Sequence, residues 1–436
     1  MTRYACQKPG PKSVAIIKRD SRVIAHAMTR EYDFVFKRAK GMYIWDVDGR
    51  EYLDFMSSVA VLNIGHDNPD VAKAVKEQLK YGMHCGFSDF YAEIPVRFSE
   101  TLVSMMPKGL NRVFLSNSGT ESVEAAYKLA RYSSSKKWTI AFTKAFHGRT
   151  MGSLSMTNSK PVQRERYGPF LPVQHVPYPY AYRMGMEAEE CSDYCLGKME
   201  DAMRKVNGNL ASVFVESVQG EGGYIVPPKK FLPGVRKLCD RHGALMCDDE
   251  VQAGCFRTGK FLGIENFGVK PDIVCLSKAI GGGIPLGATI ANSRLMDNWP
   301  PGSHANTFGG NLLACAGGIA ALNFMKRKKL GQNATRMGKI IMKRLKELEA
   351  DYEEIGDVRG LGLMIGMEIV RTKKGKAPDA KLRKALLCEA AGRGLLLLPA
   401  GESVIRIAPP LIINKEQAGK GLDILEDSIK AVCMRS

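Results

Sequence analysis

The sequence predicts an α/β fold, in which a large domain carries a mostly parallel central sheet and a smaller α+β domain accompanies it. Three observations support this prediction. The chain has 436 residues, which is more than one ordinary domain holds. Short apolar runs alternate with helical or loop stretches between about residues 111 and 292, as in parallel sheets that are covered by helices. A different mixture of helices and strands occupies the C-terminal part of the chain.

The domain limits follow from the same change of pattern. We expect residues 1–70 to contribute an N-terminal segment to the small domain, residues 71–325 to form the large domain and residues 326–436 to complete the small domain. Hydrophobic residues make up 45% and charged residues 25% of the chain, which is typical of a folded globular protein. No internal repeat or low-complexity tract indicates a solenoid or a long linker.

The first predicted elements are a hairpin and a helix. The string GMYIWDVDGREYLDF predicts two short strands joined at Asp48-Gly49, because a primed turn needs positive φ and this dipeptide supplies it. The string DNPDVAKAVKEQLKYG predicts a helix that is capped by Asn68, has Pro69 at its first position and is closed by Gly82.

Five apolar runs then predict the strands of the central sheet, and each is followed at once by a polar or glycine-bearing segment. The runs are RVFL, TIAF, ASVFV, ALMC and DIVCL, and the segments that follow them are SNSGT, TKAFHG, ESVQGEGG, DDEVQ and SKAIGGG. Ligands of such sheets bind beyond the carboxyl ends of the strands. We therefore expect the five segments to meet at one edge of the sheet.

The remaining elements predict the smaller α+β unit. They are a long helical tract from Asn311 through Leu348, a strand GLMIGMEIV, a helix that ends near Gly394, a strand VIRIA and a last helix from Lys415 onward.

The charge and the absence of certain motifs exclude some classes of function. The chain has 63 Lys+Arg against 45 Asp+Glu and a net charge of +18, but no zinc-finger, RNP or basic-zipper pattern accompanies the basic residues. This absence argues against a nucleic-acid-binding protein. The first residues lack the apolar core of a signal peptide, and no apolar run approaches the length of a membrane span. We expect no contact with a membrane.

The cysteines indicate a reducing compartment. Their number, 11, is odd, and they are spread through apolar stretches, which favours a cytoplasmic location. Cys191 and Cys195, with His175 upstream, come nearest to a metal-ligand cluster, but no second closely spaced pair completes four ligands. We interpret the two cysteines as residues of a surface loop and expect no metal.

Three groups of residues at strand ends can carry chemistry, although each also has a purely structural explanation. Ser118 and Thr120 begin a helix and can form an anion site, or simply cap the helix. Asp248 and Asp249 need a cationic partner or strong hydrogen bonds, which a protonated pyridine nitrogen, an ordinary salt bridge or a helix cap could supply. Lys278 leaves a buried strand beside a glycine run, where it can act as a neutral amine, yet most lysines are merely solvated.

Seven strings in this order and spacing resemble the class III (ornithine and 4-aminobutyrate type) aminotransferases of the fold-type I pyridoxal-phosphate enzymes. The strings are SNSGTE, AFHGRT, ESVQGEGG, DDEVQAG with RTGK, SKAIGGGIPLGA, NTFGGN and IRIAPPL. The resemblance extends from the GMYIWDVDG hairpin almost to the C-terminus. It implies the fold of that group, pyridoxal 5′-phosphate as the cofactor and a homodimer.

The resemblance also implies a role for each residue at the cofactor. Lys278 would form the Schiff base and shuttle the proton, and Asp249 would keep the pyridinium nitrogen protonated. The other residues implied in cofactor binding are Phe146 and Val251 on the two faces of the ring, Gln252 and Glu216 near its phenolic oxygen, His147, and Ser118, Gly119 and Thr120 around the phosphate. Thr307 would reach the phosphate from the second subunit.

Two arginines are implied in substrate binding. Arg149 and Arg406 match the family's carboxylate-binding arginines, and Glu221 matches the glutamate that neutralises the second of them. Glu221 would cover Arg406 when an ω-amine enters, and would move aside so that Arg406 can bind the α-carboxylate of 2-oxoglutarate. The resemblance thus implies an aminotransferase for ω-amino acids such as 4-aminobutyrate or ornithine.

Two features leave more than one substrate and reaction compatible with the sequence. The family's usual glycine-phenylalanine-glycine stretch is Gly254-Cys255-Phe256 here, which puts the shape of the adjoining loop, and with it the size of the substrate, in doubt. Five further strings are similar to archaeal members of the family, which include aminotransferases and amino-acid racemases. These strings are GPK, KPVQ, HVPYP, PPGSHANTFGGN and GDVRGLGLMIG. A pyridoxal-phosphate-dependent racemase is therefore the alternative function, because the two reactions differ in where the proton returns.

Overall fold

The computed structural model describes residues 8–433, and three β-sheets organise this part of the chain. The strands are β1 Phe36–Lys40, β2 Tyr43–Asp46, β3 Glu51–Asp54, β4 Arg112–Ser116, β5 Trp138–Phe142, β6 Val173–Val176, β7 Leu210–Val215, β8 Leu245–Asp249, β9 Ile273–Leu276, β10 Gly287–Ala291, β11 Ile355–Leu361, β12 Met364–Ile369, β13 Leu395–Leu396, β14 Leu398–Ala400 and β15 Val404–Ile407.

Helices cover these sheets. They are Pro11–Val23, Pro69–Gln78, Glu93–Val103, Gly119–Ser134, Met151–Met156, Ala181–Met184, Ala188–Lys205, Phe231–His242, Ser293–Met296, Leu312–Arg327, Leu330–Asp351, Ala380–Gly392 and Lys415–Cys433. Short 3-10 turns occupy Pro161–Gln163, Gly263–Phe267 and Lys278–Gly281. The helical turn Ser57–Ala60 is left-handed, because all four residues have positive φ.

The central sheet has seven strands in the order β4-β10-β9-β8-β7-β5-β6. Only β10 within it runs antiparallel to its neighbours, so the prediction of a mostly parallel sheet is confirmed. All five predicted strands are present, whereas β6 and β10 were not predicted. Every residue of β7, β9 and β10 is buried, because helices cover both faces of the sheet. The carboxyl ends of the five predicted strands therefore lie at one edge.

The N-terminal hairpin is present, but its turn differs from the predicted one. Strands β2 and β3 pair antiparallel across residues 47–50. Gly49 has φ +94°, whereas Asp48 is not among the residues with positive φ, so this is not the primed turn that was expected. Asp46 explains the difference, since its Oδ1 accepts hydrogen bonds from the amides of Asp48 and Arg50. Strand β3 also pairs with β13, which joins the N-terminal hairpin to the C-terminal part of the chain.

Two predicted helical stretches end differently from what the sequence indicated. Oδ1 of Asn68 accepts a hydrogen bond from the amide of Asp70 at 3.0 Å, which confirms the predicted cap, but the helix ends at Gln78 and not at Gly82. The long tract after Asn311 is two helices, because Lys329 has φ +51° and no α-helix continues through that conformation.

The cysteines are mostly interior. Cys191 and Cys195 are buried on the helix Ala188–Lys205, so the interpretation as surface-loop residues is wrong. Free thiols are carried by Cys85, Cys191, Cys195, Cys239, Cys247, Cys255, Cys275 and Cys315, and Cys388 is disulfide-bonded. No helix within residues 8–433 is both long and apolar enough to cross a membrane.

Candidate active site

A cavity of about 290 Å³ lies at the carboxyl edge of the central sheet. All five of the predicted segments contribute to its wall. The lining residues are Gly119, Thr120, Phe146, His147, Gly148, Arg149, Glu216, Asp249, Val251, Gln252 and Lys278. The expectation that these segments meet is therefore confirmed, and the topology explains it, because parallel strands end at the same edge.

Lys278 supplies the amine of this cavity. It begins the 3-10 turn that follows β9, and its φ of +50° is unusual for a residue with a side chain. Burial lowers the pKa of Lys278, the positive charge of Arg406 adds to this effect, and the negative charge of Asp249 opposes it. The amine is therefore more easily deprotonated than an ordinary lysine, as a nucleophilic lysine must be.

Asp249 supplies the carboxylate. Its Oδ2 lies 2.7 Å from Nδ1 of His147, and its Oδ1 accepts a hydrogen bond from the amide of Val251 at 3.1 Å. Burial disfavours the charged form of His147, but the hydrogen bond to Asp249 and the charges of Asp249 and Glu216 outweigh it, so the pKa of His147 is raised. The imidazole of His147 fixes the orientation of the Asp249 carboxylate through this hydrogen bond.

Asp248, the other acidic residue at this strand end, does not belong to the cavity. Successive side chains of a strand point to opposite faces, so Asp248 points away from Asp249. It is fully buried, and within the described residues neither of its carboxyl oxygens has a hydrogen-bond partner. Burial and the neighbouring Glu250 raise the pKa of Asp248 well above the usual value, which favours its neutral form.

Glu216 fixes the backbone on the far side of the cavity. Its two carboxyl oxygens accept hydrogen bonds from the amides of Phe146 at 2.9 Å and Gly220 at 2.8 Å. Burial raises the pKa of Glu216 to about 7, although His147 and these two amides favour the charged form. Glu216 thus joins the segment that carries Phe146 to the loop that carries Glu221.

The helix Gly119–Ser134 begins at the edge of the cavity, and the free amides of a helix start attract anions. Ser118 caps it through a hydrogen bond from the amide of Glu121 at 3.3 Å. A Cβ atom on Gly119 would lie 2.7 Å from a methyl group of Val251, so this position needs glycine. The hydroxyl of Thr120 bonds those of Thr150 and Ser153, which the sequence did not single out.

Arg406 and Glu221 form a buried ion pair beside the cavity. Their closest atoms, Nη2 and Oε2, are 3.0 Å apart. Nε of Arg406 donates to the carbonyl of Pro399, whereas Nη1 is buried without a hydrogen bond among the described residues. Lys160 also contacts Glu221, with 2.8 Å between Nζ and Oε1. The sequence motifs did not reveal this contact, because Lys160 lies 61 positions away from Glu221.

The remaining residues predicted from the sequence, Arg149, Thr307, Cys255 and Phe256, differ in whether they line the cavity. Arg149 is exposed at the cavity, with its guanidinium carbon 5.9 Å from the centre of the Phe146 ring. Thr307 is exposed and does not line the cavity of its own chain. Cys255 and Phe256 do not line it either, and the Phe256 ring packs against Phe261, so their departure from the family pattern does not change the cavity by direct contact.

Comparison with known proteins agrees with this arrangement. The family described as Aminotransferase class-III matches residues 24–429. This chain belongs to the class-III aminotransferases. The acetylornithine aminotransferase of Methanopyrus kandleri is 42% identical to it over 90% of this chain and 93% of the relative, and the leucine/methionine racemase of Thermococcus litoralis is 36% identical over 96% and 95%.

A solved structure supports the fold of this class-III aminotransferase. The (S)-enantioselective omega-transaminase from Thermomicrobium roseum superimposes with a TM-score of 0.91 and 28% sequence identity, covering 98% of this chain and all of that one (100%). The fold is thus that of the fold-type I pyridoxal-phosphate transferases.

Pyridoxal 5′-phosphate is the cofactor of this family, and the residues of the cavity fit it. The cavity combines an amine at Lys278, a carboxylate at Asp249 and a helix start at Gly119. An aldehyde, a pyridinium nitrogen and a phosphate need these three groups. Oε1 of Gln252 is buried without a hydrogen-bond partner in residues 8–433, so it remains available to a bound group.

Proposed function

We propose that this class-III aminotransferase moves the amino group of an ω-amino acid, of the 4-aminobutyrate or ornithine type, to 2-oxoglutarate. The ion pair between Arg406 and Glu221 carries this proposal. A site for ω-amino acids needs an arginine that is masked when the amine end of the donor enters and free when an α-carboxylate enters. The pair lies beside the cavity and supplies such an arginine, while Arg149 offers a second guanidinium at the mouth.

The residues of the cavity divide the chemistry among them. When bound, pyridoxal phosphate supplies an electron-accepting ring that makes the hydrogen on the amine-bearing carbon of the substrate acidic. Asp249, oriented by His147, would hold the proton on the ring nitrogen, and Gln252 and Glu216 would lie at the phenolic oxygen. Nζ of Lys278, as a neutral amine, would take the proton from the substrate carbon and give it to the aldehyde carbon of the cofactor. Phe146 and Val251 would enclose the ring, and Ser118, Gly119 and Thr120 would bind the phosphate.

Charge pairing would select the substrate in each half of the reaction. In the first half, Glu221 stays on Arg406, and Arg149 binds the carboxylate at the far end of the ω-amino acid. In the second half, Arg406 binds the α-carboxylate of 2-oxoglutarate and Arg149 binds its distal carboxylate. The donor of the Methanopyrus kandleri relative, acetylornithine, also has its free amine remote from the α-carboxylate.

A donor screen tests the proposal. Purified holoenzyme is incubated with 4-aminobutyrate, ornithine, acetylornithine, lysine or alanine, each with 2-oxoglutarate, and glutamate is measured. We expect the ω-amines to be the better donors, and the Lys278→Ala variant to form no glutamate. Glutamate formation from none of the ω-amines would contradict the proposal.

Racemisation is the second candidate, because the relative in Thermococcus litoralis is a leucine/methionine racemase. The same Lys278 would serve it, provided that the proton returns to the substrate carbon. Single L-amino acids are incubated with the holoenzyme in the absence of a 2-oxo acid. Formation of the D-enantiomer without a 2-oxo product would establish the racemase and end the aminotransferase proposal.

A homodimer belongs to the proposed function, with Thr307 reaching the phosphate of the partner subunit. Large apolar side chains are exposed near Thr307, as expected of a surface that a second subunit covers. Phe308 is exposed and packs on His84, and the segment around His84 exposes Tyr81, Met83, Phe90 and Tyr91. Sedimentation velocity should show a dimer. Thr307→Ala should weaken binding of pyridoxal phosphate while the dimer persists; a monomeric active enzyme would contradict this assembly.

A further inference from the structure

The carboxylate of Glu221 lies between two cations, Arg406 and Lys160, and the substrate-binding residues implied by the sequence resemblance do not include Lys160. Oε2 is 3.0 Å from Nη2 of Arg406, and Oε1 is 2.8 Å from Nζ of Lys160. The side chain of Arg406 is 6% exposed, that of Glu221 17% and that of Lys160 36%, so exposure to solvent increases from Arg406 through Glu221 to Lys160. A carboxylate that leaves the inner cation therefore remains within reach of the outer one.

The backbone of Glu221 is held in place, which limits its movement to the side chain. The amide of Gly401 donates to the carbonyl of Glu221 at 2.8 Å. Arg359 holds the residues that follow, because it donates to the carbonyl oxygens of Gly223 at 2.5 Å and Tyr224 at 3.2 Å. Any release of Arg406 is therefore a rotation of the Glu221 side chain.

The position of the Arg406 side chain is fixed by its strand and by a hydrogen bond. It lies on β15, between β12 and β14, and Nε is fixed by the carbonyl of Pro399 at 2.9 Å. Its Nη1 atom is buried and has no hydrogen bond among the described residues. Arg406 can offer Nη1 and Nη2 together to a carboxylate only after Glu221 has left Nη2.

We infer that Lys160 is a positioning residue that retains Glu221 when its carboxylate leaves Arg406, and that it thereby favours binding of the α-carboxylate of a 2-oxo acid. This inference rests on the proposed function. An enclosed carboxylate without a counter-ion is costly, so Glu221 needs a second cation in the released position. Lys160 suits this role, because its amine ends a flexible four-carbon stem near solvent and can follow the rotating side chain.

The test compares the two half-reactions of the holoenzyme in the wild type and in Lys160→Met. Rapid-mixing absorbance gives the apparent dissociation constant and the limiting rate constant for 4-aminobutyrate with the aldehyde form of the cofactor, and for 2-oxoglutarate with its amine form. Without Lys160, we expect the dissociation constant for 2-oxoglutarate to rise about tenfold with an unchanged limiting rate constant, because release of Arg406 becomes less favourable. The constants for 4-aminobutyrate should change less than about twofold, since Glu221 stays on Arg406 in that half.

Binding of glutarate gives a readout that does not depend on turnover. Glutarate has the two carboxylates of 2-oxoglutarate but no group that reacts, and calorimetry of the holoenzyme measures its dissociation constant. Lys160→Met should weaken this binding by about the same tenfold factor, and Lys160→Arg should retain it, because a cation remains. Lys237→Met is the matched control, since Lys237 is exposed and makes no ion pair within residues 8–433.

Three possible results distinguish failure of the inference about Lys160 from failure of the proposed function. Unchanged or tighter glutarate binding in Lys160→Met would overturn the inference, and tighter binding would mean that Lys160 locks Glu221 onto Arg406. A wild-type enzyme that transfers no amino group to any 2-oxo acid would contradict the proposed function, while glutarate binding would still decide the role of Lys160. Weaker glutarate binding in Lys160→Met, with Lys160→Arg and Lys237→Met like the wild type, supports the inference.

Discussion

His147 and Asp249 form a buried pair whose nearest atoms, Nδ1 and Oδ2, are 2.7 Å apart. The other carboxyl oxygen of Asp249 accepts the amide of Val251. Both oxygens are thus held by groups of the surrounding protein, and the pKa of His147 is raised, because the effect of burial is outweighed by its hydrogen bond to Asp249 and by the charges of Asp249 and Glu216. An oriented carboxylate at the base of the cavity is the consequence, because a hydrogen-bonded partner fixes the direction of the group that meets the ligand.

Replacement of His147 should weaken cofactor binding. His147→Phe retains an aromatic ring next to Phe214, which packs edge-on against His147, but it removes the hydrogen bond to Asp249. Loss of a hydrogen bond to a charged group should weaken the affinity for pyridoxal phosphate about 10- to 100-fold. Fluorescence titration of the apoprotein measures this affinity. His175→Phe is the control, since His175 contacts a backbone carbonyl and not Asp249; equal effects of the two substitutions would refute the assigned role.

Glu216 should make the stability of the apoprotein depend on pH. Its pKa is raised from 4.5 to about 7 by burial, so the folded protein holds the proton more tightly than the unfolded chain does. The resulting stabilisation is complete below about pH 4.5 and is lost as the pH rises to about 7. Glu216→Gln cannot titrate, so the wild-type free energy of unfolding minus that of the variant should fall by roughly 3 kcal/mol across this window.

Urea denaturation of the apoprotein at several pH values between 4.5 and 7.5 gives this difference. The loss of one acceptor in Glu216→Gln shifts the difference by a constant amount, so its slope with pH is the informative quantity. Glu353→Gln, which changes an exposed carboxyl, should give a flat difference. If the difference in free energy of unfolding between the wild type and Glu216→Gln does not change with pH, the pKa of the buried carboxyl is not raised.

Removal of the Glu221 carboxylate should change the choice of amino donor. In Glu221→Ala, Arg406 remains unmasked in both half-reactions and attracts the α-carboxylate of glutamate. We expect the ratio of kcat/KM for glutamate to that for 4-aminobutyrate to rise about tenfold. Glu221→Gln, which retains the shape without the charge, should move the ratio in the same direction. An unchanged ratio in both variants would mean that Glu221 does not mask Arg406 during turnover.

The sequence predicted the cavity well because its residues follow strands that end at one edge. Glu216 comes directly after a continuous apolar run, and Lys278 and Asp249 each come one residue later than that; runs of this kind are strands that are buried on both faces. Their meeting point then follows from the parallel topology alone. Strand β10 was missed, because its glycine and alanine residues give no pattern that separates it from the preceding glycine-rich loop.

Contacts between distant segments were not predictable. Lys160 meets Glu221, and Arg359 meets the backbone of Gly223, only because the chain folds that way. Lys160 lies in the KPVQ string and Arg359 in GDVRGLGLMIG, but neither string indicates a partner in space, since basic residues are usually solvated. The prediction of a primed turn at Asp48-Gly49 was wrong for a related reason, because the side chain of Asp46 accepts hydrogen bonds from the amides of Asp48 and Arg50 and so sets the turn conformation.

The Gly254-Cys255-Phe256 stretch leads to a prediction about stability. Phe256 has φ +67°, a left-handed conformation that costs about 1 kcal/mol or more for a residue with a Cβ atom and nothing for glycine. Phe256→Ala and Phe256→Gly both lose the ring that packs at 5.3 Å against Phe261, but only the alanine variant keeps the strained backbone. The glycine variant should therefore be more stable than the alanine variant by about 1 kcal/mol, which reverses the usual order.

The matched control is the same pair of substitutions at Phe261, the other ring of this contact. Phe261 is not among the residues with positive φ, so Phe261→Ala should be more stable than Phe261→Gly by roughly 0.5–1 kcal/mol. Urea denaturation of the four variants gives both differences in free energy of unfolding. Opposite signs at the two positions are expected, because backbone conformation alone distinguishes them once the rings are gone. The same sign at both positions would mean that Phe256 carries no left-handed strain, and that the bulky residue in place of the family's glycine costs nothing.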